Sequence, residues 1–134
     1  MSRGEPAMSR GEPFSYALLR VMPRADRGEA INVGVVVFCR RADFLAIRWA
    51  LPLERLKTLD ASLDVASLES QLRALEAIAR GDRAGGAVAS QPPSERFHWL
   101  VAPASTIVAP SEVHTGISAD PQQTLAQLFE KLVR

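Results

Sequence analysis

One cysteine, two histidines and one tyrosine are all that 134 residues offer of those three side chains, and the shortage narrows the chemistry. Cys39 cannot close an internal disulfide. With only His98 and His114 to join it, no spacing matches a zinc signature. Neither a metal nor another cofactor is expected. Aromatic residues make up 6% of the chain, and Phe97-His98-Trp99 lacks the basic, glycine-bearing surroundings of an RNA-stacking strand. A net charge of +1 gives no general attraction to a phosphate backbone, so nucleic acid is not an expected partner. No apolar run approaches the roughly 20 residues of a membrane helix, and Met1 to Pro13 holds no stretch resembling a secretory signal. Glycine-rich phosphate loops are missing too: Gly81 to Gly86 lacks the Lys-Ser/Thr ending of a P-loop. With its lone thiol, the chain is expected in the reducing cytoplasm.

What is present suffices for one folded unit. Apolar residues at 47% and charged residues at 23% are ordinary for a globular protein, and a chain of this length buries about two thirds of its unfolded surface. Residues 1 to 6, Met-Ser-Arg-Gly-Glu-Pro, recur word for word at 8 to 13. Having little to bury, residues 1–13 are expected to form a disordered tail, with Met8 a second candidate start, and residues 14–134 a single α+β domain. Phe14 to Met22 alternates as a strand. Ile31 to Cys39, with four valines and a phenylalanine, reads as a central strand covered on both faces. Arg40 to Asp43 is a turn, and Phe44 to Ala50 completes a hairpin. Pro52 opens a short helix through Leu59. Asp64 caps a longer one whose stripe of Val65, Leu68, Leu72, Leu75 and Ala79 stops at Gly81. Gly, Ala, Ser and Pro dominate 81–95, expected to be a mobile loop. Arg96 to Ala102 alternates as a further strand, extended or followed by Thr106 to Ala109. Asp120 and Pro121 then start a final helix bearing Leu125, Leu128, Phe129, Leu132 and Val133. The order βββ-αα-β(β)-α implies a mainly antiparallel sheet carrying helices.

Polar groups beside the strong strands are the candidates for function. Asn32 and Gly34, two residues apart, are expected on the same face of the strand, because strand side chains alternate with a period of two. Gly34 would expose backbone to a ligand, while Arg20 and Glu29 supply opposite charges at one spot. The competing structural account pairs Arg20 with Glu29 and uses Gly34 to make room for Trp49 or Trp99. Histidine as a residue type is a common general base, which makes His114 a candidate for that role; alternatively it bonds a backbone carbonyl while Thr115-Gly116 turns the chain toward the last helix. Ser105-Thr106 lacks the setting of a nucleophile elbow, and Cys39 reads as a small hydrophobe. Arg20, Arg24 and Arg27, and separately Arg40-Arg41, are local basic groups suited to an anion.

Tyr16, Arg20, Pro23, Gly28-Glu29, Asn32-Val33-Gly34, Ser105-Thr106, Pro110, His114-Thr115-Gly116, Asp120-Pro121 and Leu128-Phe129 together resemble the DUF3037 family, small bacterial proteins of unknown function. The resemblance runs from about Ser15 to Val133. It implies no substrate, cofactor or catalytic residue, and of partners at most a kinase-like protein. Two functions are therefore expected in order. The first is a non-enzymatic binding or regulatory module that engages a protein partner through the Arg20/Glu29/Asn32 face or the sheet edge beside it, with Gly34, His114 and Thr115 as further candidate binding residues. The second is a small enzyme acting on a nucleotide or other anionic metabolite, with Arg20 holding the anion and Glu29 or His114 moving protons. Strand pairing across a homodimer is a third arrangement open to the same sequence.

Overall fold

The computed structural model describes residues 11–22, 29–103 and 107–134. Strand β1 (Glu12–Val21) pairs antiparallel with β2 (Ile31–Cys39), which pairs antiparallel with β3 (Phe44–Trp49). The β2–β3 turn closes with the Asp43 N–H donating to the Arg40 carbonyl at 3.0 Å. Along its other edge β1 receives two short strands end to end: β4 (Val108–Pro110) beside Leu19 to Val21, and β5 (His114–Ser118) beside Glu12 to Tyr16. The sheet order is thus β3-β2-β1, then β4 and β5 in one line. As expected, this is an α+β domain with a mainly antiparallel sheet.

Helices cover both faces. Helix α1 (Leu53–Leu59), α2 (Val65–Arg80) and α3 (Pro93–Leu100) lie on one side. There Leu56, Leu68, Leu72, Ile78, Phe97 and Leu100 pack on Ala17, Leu19, Val21, Val33, Val36 and Ile47. Helix α4 (Pro121–Leu132) covers the other side, seating Leu125 and Phe129 on Leu18, Val35, Val37 and Cys39. Burial of both β2 faces explains its near-continuous valine run. Asp64 accepts from the Ser67 N–H to start α2, Gly81 ends it in the left-handed region (φ 72°), and Asp120 accepts from Gln122 and Gln123 to start α4.

Four expectations are corrected. First, Arg96 to Ala102 is not a strand. Helix α3 begins at Pro93, where a missing N–H costs nothing, and Phe97 and Leu100, three apart, both reach the core while His98 and Trp99 face outward. Second, the supposed loop after Gly81 is built of 3₁₀ turns at Arg83–Gly85 and Ala87–Ser90, with Ala89 buried. It is fastened by Arg96, whose Nε donates to the Gln91 carbonyl (2.9 Å) and whose Nη1 donates to the carbonyls of Ile78 (3.1 Å) and Ala79 (2.7 Å) at the end of α2. Third, His114-Thr115-Gly116 does not turn; it is the body of β5. Fourth, β1 begins at Glu12, so Glu12 and Pro13 belong to the sheet rather than to a tail, while residues 1–10 lie outside the described residues.

Alternation itself breaks inside β2. Leu19 faces Gly34 but Arg20 faces Asn32, so Val33 is the extra residue of a β-bulge. Beyond it the side chains of β2 change parity: Ile31, Val33 and Val36 point to α1–α3, and Val35, Val37 and Cys39 to α4.

Candidate functional site

The bulge separates the first two candidates. Asn32 points to the α4 side, where its Nδ2 donates to the Leu132 carbonyl at 3.1 Å and satisfies an otherwise open group at the helix end. Gly34 lies on the opposite face. A Cβ there would sit 3.1 Å from the Trp49 Cβ, 3.2 Å from the Arg48 carbonyl and 3.3 Å from Leu19 Cδ1. Its role is to let β3 and its tryptophan pack, so the two residues do not form one patch. The indole of Trp49 reaches on to Glu76 Oε1 (3.4 Å).

Arg20 is cross-strand from Asn32 and half-buried. Glu29 stands beyond the start of β2 in a recess with Ala30, Ile31 and, from α1, Arg55, Thr58 and Leu59. His114 lies opposite Tyr16, with ring centroids 5.2 Å apart and Nε2 3.5 Å from Glu112 Oε1. Tyr16 and Arg20 are four residues apart on β1, ~13 Å at ~3.3 Å per residue. Thr115 pairs with Ser15 and faces the other way, toward the side of α3. Among the described residues, Arg20, Asn32 and His114 thus stand on the α4 face, Glu29 in the α1 recess, and Gly34 and Thr115 on the side of α1–α3. Pro23, Arg24, Arg27, Gly28, Ser105 and Thr106 lie outside the described residues.

Two other features emerge. One is a cavity of about 360 Å³ lined by Ser15, Phe38, Arg40, Arg41, Phe97, His98 and Thr115, among others. Phe38 and Phe97 are stacked at 5.1 Å, and Arg41 is held by Glu12 Oε1 at 3.4 Å. The arginine pair at the hairpin turn was visible as a basic dipeptide, but only the fold sets it beside two hydroxyls and an imidazole.

The second feature is the free edge of β5. Ser111 fixes its polarity. The Leu18 N–H donates to Ser111 Oγ (2.8 Å), the Leu18 carbonyl accepts from the Ser111 N–H (2.8 Å), and Ser111 Oγ donates on to the Glu112 carbonyl (2.9 Å). The backbone groups of Leu18 thus point toward the β4/β5 side. In an antiparallel ladder alternate residues point the same way, so Tyr16, Phe14 and Glu12 do too, and their partners His114, Gly116 and Ser118 bond inward. Pro13, which has no N–H, fits the intervening non-bonded position opposite Ile117. Thr115 and Ile117 consequently aim their N–H and carbonyl groups away from β1. Among the described residues no strand pairs with that side. Ile117 is 65% exposed and Val113, just before the strand, 42%. β5 itself carries neither lysine nor proline, and the one-residue slip in register between Ser111, opposite Leu18, and His114, opposite Tyr16, ends just before it. Its counterpart β3, at the far margin of the sheet, likewise pairs with no further strand among the described residues, but has α2 packed on one face and α4 on the other.

The chain belongs to the DUF3037 family, proteins of unknown function, whose model matches residues 16–133. No curated protein and no solved structure matches it. Among the described residues no helix is long and apolar enough to cross a membrane.

Proposed function

We propose that this domain is a non-enzymatic binding module that engages a protein partner by taking an extended segment onto the free edge of β5. The observation that carries the reading is the outward direction of the Thr115 and Ile117 backbone groups beside exposed apolar side chains. Main-chain hydrogen bonds supply affinity in such strand addition, and side chains on alternate residues supply selectivity. The family resemblance makes a kinase-like protein the partner class to try first, and the buried free thiol of Cys39 suits a cytoplasmic setting.

Thr115→Pro tests it. The substitution removes an outward N–H, leaves the inward ladder to β1 intact, and occupies the kind of edge position where proline is tolerated. Tagged wild-type protein is expected to co-purify a partner from native extract that folded Thr115→Pro loses. Recovery of no partner, or of equal amounts by both forms, refutes the reading.

The cavity beside Arg40 favours a second reading, an enzyme or receptor for a small anion. Two guanidinium groups, the hydroxyls of Ser15 and Thr115 and the His98 imidazole suit a phosphate or carboxylate. A nucleotide that raises the melting temperature of the wild type but not of Arg40→Ala supports it; no shift with any nucleotide counts against it.

A further inference from the structure

We infer that the first occupant of the β5 edge is a second copy of the same strand, paired antiparallel about a two-fold axis through Thr115. The inference rests on the reading of that edge as a docking strand and adds the identity and register of what docks. With Thr115 opposite its own counterpart, residue pairs across the axis sum to a fixed number. Ile117 of each copy meets Val113 of the other, so the exposed apolar side chains form two equivalent pairs, one on each side of the axis. His114 meets Gly116, which has no side chain to obstruct the imidazole, and Glu112 meets Ser118, so no like charges stand directly opposite.

The backbone agrees with this register. Thr115 and Ile117 already direct their N–H and carbonyl groups outward, and residues of that parity form the hydrogen-bonded pairs of an antiparallel ladder. Thr115 exchanges two bonds with its counterpart, and each Ile117 extends the ladder toward the other copy's Val113. After Ser118 the chain is drawn inward by the Ser118–Thr124 hydroxyl contact and runs into α4, which packs on β2 and β3. Among the described residues the outer edge is thereby left clear for a copy of the same shape. A self-complementary strand of this kind gives a closed dimer rather than an open fibre. The contact is small, placing it in the weak class of interfaces, with a Kd on the order of 10⁻⁵ M.

Sedimentation and site-specific cross-linking test the inference on the full chain. The wild type is expected to shift from monomer to dimer as concentration is raised through roughly tenfold above and below that Kd, and Thr115→Pro to remain a monomer. Two cysteines at the axis would have Cα atoms ~5.5 Å apart, within disulfide range. Thr115→Cys should therefore oxidise to a covalent dimer; Cys39 is buried and does not compete. Ile117→Cys alone should not, because its two copies lie ~13 Å apart at ~3.3 Å per residue, yet mixed with Val113→Cys it should form a heterodimer. A wild type that stays monomeric over the range overturns the second copy as occupant, while the co-purification experiment still decides the partner-strand reading. Efficient cross-linking of Ile117→Cys to itself overturns the register.

Discussion

Removing the Arg96 guanidinium is expected to destabilise the domain by about 2 kcal/mol, and the structure supplies the components. Three donations are lost, two of them to carbonyls at the C-terminal end of α2, where a cation also answers the helix dipole. Hydrogen bonds from a charged donor contribute about 1.5 to 3 kcal/mol each when buried. Arg96 is only half-buried, so water recovers much of that once the side chain is gone, and the net falls well below the sum of three. With a urea m-value of about 2 kcal/mol/M for a domain of this size, Arg96→Ala should lower the midpoint by roughly 1 M with the slope unchanged. Arg96→Lys, which retains the charge but not the planar fork, should fall between. The reasoning is refuted if Arg96→Ala unfolds within about 0.3 M of the wild type, since effects below ~0.5 kcal/mol are those of an ordinary surface residue.

Ser111→Ala should cost about 1 to 3 kcal/mol in the same assay, because the Leu18 N–H it serves is buried and loses its acceptor; Ser111→Thr, which keeps the hydroxyl, should retain most of that stability. Gly34→Ala should cost about 1 to 3 kcal/mol by overpacking, since two of its three close neighbours are the Trp49 Cβ and the Arg48 carbonyl, which cannot yield without moving β3. A midpoint equal to that of the wild type would mean β3 shifts freely.

Much of this architecture is legible from local signals. Asp64 and Gly81, or Asp120 and Pro121, bracket helices whose apolar stripes agree with their caps, and Ile31 to Cys39 is a strand under any template. Helix α3 misleads because Phe97, Trp99 and Val101 alternate with His98 and Leu100 as a strand would; Pro92-Pro93 followed by Glu95 was the available sign of a helix start. In β5, Thr115-Gly116 suggests a turn, yet Gly116 is small because a Cβ would come within 2.7 Å of the Phe14 ring across the ladder. The candidate residues are divided between the two faces for a related reason. One bulged residue, Val33, sends Asn32 and Gly34 to opposite faces, and no period-two argument reveals a bulge. Which edge of the sheet lies open depends on strand order, a long-range property that neighbouring residues do not encode.

Strand β1 stands inside the sheet although it precedes the other described strands in the chain. One of its edges is matched quickly by β2, but the other must wait for Ser111, 93 residues after Leu18. During synthesis that edge remains unmatched until Ser111 has emerged, and an exposed strand edge at that stage invites misassembly. Closure of so long a loop before its contacts form also slows folding. The N-terminal half is thus held hostage to the C-terminal third, and loss of β4 and β5 would leave the middle of the sheet, rather than its margin, without a neighbour.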